Sequence, residues 1–373
     1  MKAKVKKIYL AVTNDLVTDN RVHKIATTLL KSGANLTLIG RIKEKNTPNL
    51  SRQYNTKRFK LIFKKGPCFY LEYNIRLFVF LLFRRFDIVV ANDLDTLLGS
   101  YCASKIKSKH LVYDSHEYFT EVPELYDRKF PKKVWMFIER LILPKIKSSY
   151  TVSGSIAETY NKLYNIDMEI VRNVPYFLDK RNLNSNSTND TNQILYQGSL
   201  NLGRGLEHVI DAMQFIHNAK LTIIGDGDIT YQLKERIETK KLQDKVELKG
   251  RIPFEELMNE TQKADLGIAL EENLGLNYYY ALPNKLFDYI QAGVPVIVSP
   301  FPEMQKIVNQ YEIGTVYNHK NPKELAKKID EIFELKNRYQ KWKDNTKIAA
   351  KDLCWENEEK ILIKLYSKIG LSF

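Results

Sequence analysis

Leu282-Pro283-Asn284-Lys285-Leu286-Phe287-Asp288-Tyr289-Ile290-Gln291-Ala292-Gly293-Val294-Pro295-Val296-Ile297 reads as a helix running straight into a strand. Pro283 suits a first helical turn, where its missing N–H leaves no hydrogen bond unmade. Gly293 supplies the C-terminal stop, and Val294–Val298 starts the strand. The N-terminus of such a helix offers unpaired N–H groups and a positive dipole end, which suits a phosphate. Lys285 adds a cation there. Asp288, about one turn further on, offers an acceptor for a sugar hydroxyl. An ordinary helix with a solvated lysine and aspartate would read the same way.

The same rhythm extends in both directions. Towards the N-terminus, strands are expected at Lys7–Thr13, Asn35–Ile39, Phe86–Ala91, His110–Asp114 and Ser149–Ser153, with a helix over Asn20–Ser32 closed by Gly33. A polar stretch, Arg181–Asn192, reads as a linker. The alternation then restarts, with strands at Ile194–Gln197, Lys220–Ile224, Val246–Lys249, Leu266–Ala269, Val296–Val298 and Gly314–Val316, and a helix over Leu206–Phe215. Residues 323–369 read as helical, with a break near Leu353–Cys354. Strands alternating with helices imply parallel sheets covered on both faces. The expected fold class is therefore α/β: two doubly wound Rossmann-like domains facing across a cleft. The boundaries are 1–180 and 193–350, with 351–373 packing back on the first domain. Ligands of such sheets bind outside the carboxyl ends of the strands.

A chain of 373 residues accommodates two such domains. Its 44% apolar and 27% charged content excludes a wholly disordered or multi-span membrane protein. Charge is unevenly spread. Residues 1–180 hold 32 Lys and Arg against 17 Asp and Glu, whereas the remainder is nearly balanced, 26 against 27. Three widely spaced cysteines, Cys68, Cys102 and Cys354, argue against a disulfide framework and for a reducing cytoplasm. The apolar run behind the basic N-terminus, Ile8–Val12, is too short for a signal peptide. The longest apolar run, Leu77–Phe83, is too short to span a bilayer.

Two further segments carry candidate chemistry. Gln197-Gly198-Ser199-Leu200-Asn201-Leu202-Gly203-Arg204-Gly205 follows a strand and precedes a helix. Its glycines allow close backbone approach to a ligand, and Arg204 can grip phosphate in a forked manner. It is neither a Walker loop nor a dinucleotide fingerprint, and a plain turn would look similar. Tyr113-Asp114-Ser115-His116-Glu117 places a histidine at a strand's carboxyl end, as base or as hydrogen-bond donor.

These segments, taken with "DNRVHK" near residue 20, "RNVP" at 172–175, "IIGDG" at 223–227 and "LKGRIP" at 248–253, resemble glycosyltransferase family 4, which has the GT-B fold, in its bacterial polysaccharide-building branch. The resemblance implies a nucleotide-diphosphate-sugar donor, a glycan or lipid-linked glycan acceptor, retention of anomeric configuration and no metal or other cofactor. It assigns Arg204 and the backbone around Pro283, Asn284 and Lys285 to the diphosphate, with Gly198, Ser199 and Gly203 in the adjoining loop. It assigns Asp288 to the ribose, Gly225 and Gly227 to the donor pocket, and Arg251 and Ile252 to the border of the nucleobase. His116 falls near the reacting centre, with Arg204 and Lys285 completing the catalytic set. Asn14, Asp15, His116 and Glu117 fall on the acceptor side. Two departures stand out. The family's two glutamates eight positions apart are Tyr280 and Asp288 here, and an expected arginine is Ser199. Glu271 or Glu272 is a candidate replacement carboxylate.

The triplets Asp93–Asp95 and Asp226–Asp228 are what 19 aspartates produce by chance about once, and are read as non-metal. The basic first half mixes cations with large apolar residues over Leu71–Arg85 and over Lys132, Lys133, Trp135, Phe137, Ile138, Arg140, Leu141, Ile142, Lys145 and Lys147. Both stretches suit an anionic membrane surface on the inner face of the cell membrane. Helices with their apolar sides in the core would read alike. No nucleic-acid-binding module is present in the sequence. A non-catalytic glycan-binding relative and a nucleotide-sugar epimerase of the same fold are the alternative readings.

Overall fold

In the computed structural model, which describes residues 5–17, 19–43, 50–179, 191–318 and 321–371, the strands form two wholly parallel sheets. The first comprises β1 (Lys7–Ala11), β2 (Asn35–Arg41), β3 (Asn55–Phe59), β4 (Ile88–Asn92), β5 (His110–Ser115), β6 (Ser149–Thr151) and β7 (Met168–Ile170). Its order is β3-β2-β1-β4-β5-β6-β7. The second comprises β8 (Asn192–Gln197), β9 (Ala219–Ile224), β10 (Val246–Gly250), β11 (Leu266–Ala269), β12 (Val296–Val298) and β13 (Gly314–Val316), in the order β10-β9-β8-β11-β12-β13.

The chain divides into two compact units, Met1–Asn173 with Glu358–Phe373, and Val174–Asn357. The last helix, Trp355–Lys368, begins in the second unit and contributes most of its length to the first. Within the first unit, Glu358 accepts from the Arg172 backbone N–H at 2.8 Å and from its guanidinium at 2.9 Å. Glu359 accepts from the Thr28 hydroxyl at 2.9 Å.

Strands buried on both faces feed two cores by alternation. On β8, Ile194 and Tyr196 enter one cluster and Leu195 the opposite one; on β12, Ile297 faces the first and Val296 and Val298 the second. β3 and β7 have no counterpart in the sequence reading. Both are edge strands, and β3 (Asn-Thr-Lys-Arg-Phe) is mostly exposed, so neither carries the apolar run that marks a buried strand. The C-terminal helical region is broken at Leu335 as well as near Leu353, giving Pro322–Glu334, Lys336–Asp352 and Trp355–Lys368. Most of the expected linker, 181–190, lies outside the described residues, and Asn192 already opens β8.

Each sheet has one place where the strand order reverses. In the first it lies between β1 and β4, in the second between β8 and β11. The loops that leave these strands at their carboxyl ends part there, which leaves room for a ligand.

Candidate functional site

In the second unit, the loop after β8 meets the loop after β11. Gly205 (φ 69°) requires glycine, because a Cβ there would stand 2.1 Å from the Leu270 carbonyl oxygen. The Glu272 N–H donates to the Gly203 carbonyl at 2.9 Å, and Ser299 Oγ donates to the Glu271 carbonyl at 2.6 Å, so the β11 loop is fixed from both sides. This places the Glu271 carboxylate, 1% exposed, between two cations. Lys285 Nζ stands 3.0 Å from Glu271 Oε1, and an Arg204 guanidinium nitrogen stands 3.8 Å from the same oxygen. Lys285 also lies over the Tyr196 ring, 3.9 Å from its centroid, and Arg204 over Tyr278 at 4.8 Å. Lys285 is only 7% exposed, which removes the reading of a solvated surface lysine.

The helix that carries Lys285 spans Asn284–Ala292 and ends at Gly293 in the left-handed region. Pro283 sits at its N-cap, one residue before the first turn, and its side chain offers the helix no cap. Asp288, half-buried, accepts from Gln197 Nε2 at 2.9 Å, and Gln197 Oε1 in turn accepts from Thr261 Oγ1 at 2.7 Å. The relay Thr261–Gln197–Asp288 fixes the carboxylate's direction. Gly198 and Gly225 hold the neighbouring loops together through Gly198 N–H to the Ile224 carbonyl and Gly225 N–H to the Gly250 carbonyl, both 2.9 Å. Asp226 accepts from the Gly227 N–H at 2.9 Å and from Thr230 Oγ1 at 3.0 Å, so it folds its own turn. Ser199 and Arg251 are exposed, and Ile252 is half-buried.

The first unit gathers a different set at the carboxyl ends of β1, β4 and β5. Asn14 and Asp15 shape the loop after β1, accepting from the N–H groups of Leu16 and Val17 at 2.9 and 3.1 Å. Thr13 Oγ1 donates to Asp95 at 2.5 Å, tying that loop to the one after β4. His116 is held at both ring nitrogens, Nδ1 3.2 Å from Asp93 and Nε2 3.0 Å from Asp114. Its backbone N–H donates to Asp93 at 2.7 Å. Asp93 adopts φ 62°, a strained conformation for a non-glycine residue. The Glu117 carbonyl accepts from Ser115 Oγ at 2.7 Å. Beneath lies a buried pair: Arg21 donates to both Asp114 oxygens, at 2.7 and 3.3 Å, and to the Val171 carbonyl at 2.8 Å.

Burial opposes charge on His116, but the Asp93 and Asp114 carboxylates outweigh it and hold the imidazole up at about 9. Burial pushes Asp93 up to about 7, against the pull of His116. Near neutrality His116 is therefore an imidazolium with both N–H groups engaged, suited to fixing loops and fields rather than to taking a proton. Because its folded value exceeds the ordinary 6.5, its stabilisation is complete below about pH 6.5 and is lost as pH rises through 9. Thermal melts should fall by several degrees between pH 7 and 10. His116→Gln should show a visibly flatter profile; identical profiles would contradict the charged assignment.

Arg21 lies in the quoted "DNRVHK" segment, Asp114 in Tyr113–Glu117 and Asp93 in the triplet Asp93–Asp95, but nothing in sequence spacing joins them. Of the two carboxylates the sequence offered, Glu271 and Glu272, it is Glu271, two residues after β11, that meets the cations. Among the described residues, no group of three or more His, Cys, Asp or Glu is placed to hold a metal ion.

Residues 179–349 match the family of glycosyl transferases group 1. This segment is similar to the group 1 glycosyltransferase domain. The segment takes in Gly198, Arg204, Glu271, Lys285 and Asp288. An uncharacterized glycosyltransferase of Methanocaldococcus jannaschii is 29% identical over 148 residues, which is 38% of this chain and 36% of that one. The chain spans about a third or less of the length of the curated relatives it matches. Among solved structures, sucrose-phosphate synthase of Thermosynechococcus elongatus superposes with a TM-score of 0.79 over 98% of this chain and 99% of that one, at 16% identity. HepE of Anabaena in complex with UDP-glucose gives 0.73 over 97% and 100%, at 14%. At these identities the likeness is one of fold, and with two doubly wound sheets it makes the fold GT-B-like.

Proposed function

We propose that the chain is a glycosyltransferase that moves a sugar from a nucleotide-diphosphate donor to a glycan or lipid-linked glycan acceptor in surface polysaccharide assembly. The observation that carries this reading is the convergence of Arg204, Lys285 and the N-terminus of helix Asn284–Ala292 within the group 1 domain. Breaking the anomeric bond leaves negative charge on the departing diphosphate, and two cations with a helix dipole stabilise it without a metal. In this reading Asp288, which accepts from Gln197, takes a hydrogen bond from a ribose hydroxyl. His116, with both nitrogens occupied, orders the acceptor-side loops. Retention of configuration belongs to the same reading. Incubation with nucleotide sugars and a lipid-linked acceptor, in the presence of EDTA, should yield an acceptor heavier by one sugar. An altered sugar on the nucleotide with no acceptor consumed would favour an epimerase, and binding with neither outcome a non-catalytic relative.

The acceptor's lipid implies a membrane surface, and the first unit offers one. Helix Pro67–Leu82 is apolar on two sides. Phe69, Tyr73, Leu77 and Leu81 are buried, whereas Leu71, Ile75 and Val79, followed by Phe83, form an exposed stripe at four-residue spacing. Glu72 accepts from the N–H groups of Ile62 and Phe63, fixing a loop that exposes both side chains. Helix Lys129–Ile142 exposes Phe130, Val134, Phe137 and Leu141, and its Trp135 packs edge-on against Tyr70. Exposed cations flank these stripes: Lys64, Lys65, Arg84, Arg85, Lys129, Lys133 and Arg140. Among the described residues no helix is long and apolar enough to cross a membrane. The surface instead suits lying on anionic lipid at the inner face, where each nearby cation contributes about 1 kcal/mol. Flotation with anionic vesicles should fall steeply with salt, and Lys129→Glu with Lys133→Glu should weaken it by about tenfold or more. Flotation unaffected by both would remove the membrane from this reading.

A further inference from the structure

We propose that Glu271 is an internal anion that pairs with Arg204 and Lys285 and competes with the donor's diphosphate for them. This rests on the assignment of the diphosphate to those two cations.

A purely structural ion pair in this chain looks different. Arg21 and Asp114 use both carboxylate oxygens, at 2.7 and 3.3 Å, and the remaining guanidinium nitrogen reaches a backbone carbonyl. Around Glu271 the capacity is left over on both sides. Oε1 serves Lys285 at 3.0 Å and Arg204 only at 3.8 Å, too far for a hydrogen bond. Oε2 is buried and receives no hydrogen bond, and Arg204 Nε is buried and makes none. Buried polar groups are rarely left in that condition, and Arg204 Nε thus keeps a donor to give to an incoming acceptor.

The two sides also differ in freedom. Glu271 is anchored through its backbone by Ser299 and its neighbour Glu272 by Gly203, while Arg204 has a side chain 24% exposed. Arg204 is therefore the freer of the two cations, while Lys285 is nearly as buried as the carboxylate. A diphosphate carries more charge than a carboxylate and several more acceptor oxygens, so it satisfies both cations at once. Glu271 keeps Lys285, which is nearly buried, from being an unpaired ammonium, a costly state. Once the diphosphate is bound, Glu271 becomes a like charge a few ångströms from it.

The consequence has opposite signs for stability and affinity. Glu271→Gln keeps the size and a carbonyl acceptor but removes the charge. The ligand-free variant should melt lower than the parent. Its Kd for inorganic pyrophosphate, UDP or GDP, measured by calorimetry, should be lower by about tenfold, since a like charge at this range is removed. Damage to the fold weakens binding, so a gain in affinity cannot come from it. An unchanged or raised Kd in a folded Glu271→Gln protein overturns the proposal while leaving the pocket in place. Failure of the parent to bind any of the three probes overturns the pocket and the proposal together. If Glu271→Gln does not fold, a crystal structure of the parent with the bound nucleotide decides. Lys285 Nζ should have left Glu271 for a phosphate oxygen, beyond the ion-pair limit of about 4 Å, and a retained contact overturns the proposal.

Discussion

Arg204→Ala is expected to weaken binding of a nucleoside diphosphate by about 10- to 100-fold, with little change in melting temperature. The estimate follows from the charge-assisted hydrogen bonds that an arginine gives to phosphate, worth about 1.5–3 kcal/mol each over the neutral alternative. Arg204 is suited to this clean test because its bond to Glu271 is loose, at 3.8 Å, and its side chain is partly exposed. Truncating it removes a ligand contact without stranding a tightly bound partner. Lys285→Ala should weaken binding comparably but also lower stability, because Glu271 then keeps only a distant cation while buried. Calorimetry beside thermal melts separates the two variants. Unchanged affinity in both would remove the diphosphate from this loop.

The second large effect concerns the fold under the acceptor-side loops. Asp114→Ala should cost about 3–5 kcal/mol, the range for breaking one side of a buried ion pair. Asp114 is fully buried and accepts from Arg21 at both oxygens and from His116. Its removal leaves a guanidinium and an imidazolium buried together. For a unit of this size that corresponds to a drop in melting temperature on the order of 10 °C. Although burial pushes Asp114 up, Arg21 and His116 outweigh it and hold its carboxyl below the ordinary range. Its stabilisation is thus present at neutral pH and is lost as pH falls through that lowered value. The difference between parent and variant should therefore shrink in acid; a pH-independent difference would mean that packing, not charge, carries Asp114's contribution.

The legibility of this chain followed burial. Strands with both faces covered read directly as apolar runs, and β11 and β12 start and end where the sequence placed them. The edge strands β3 and β7 did not, because an edge needs no continuous apolar run and tolerates Lys57 and Arg58 in its midst. The individual site residues on the second unit's loops could be nominated from Gly-rich and Pro-Asn-Lys patterns. Their mutual contacts could not. That Arg204 meets a buried carboxylate depends on how β8 and β11 come to lie side by side, a pairing of strands separated by a crossover through β9 and β10. Likewise His116 was readable as a strand-end histidine, but its charge state is decided by Asp93 and Asp114, one of them on a different strand's exit loop.

The most direct test is a thermal-shift screen of nucleotide sugars on the parent and on Arg204→Ala side by side. A ligand at about one hundred times its Kd adds about 2.7 kcal/mol of apparent stability, so binding registers without knowledge of the acceptor. The prediction is that nucleotide sugars sharing one base raise the parent's melting temperature by several degrees and leave Arg204→Ala almost unmoved. No shift with any nucleotide sugar, or equal shifts in both proteins, would contradict a donor held by Arg204 and Lys285.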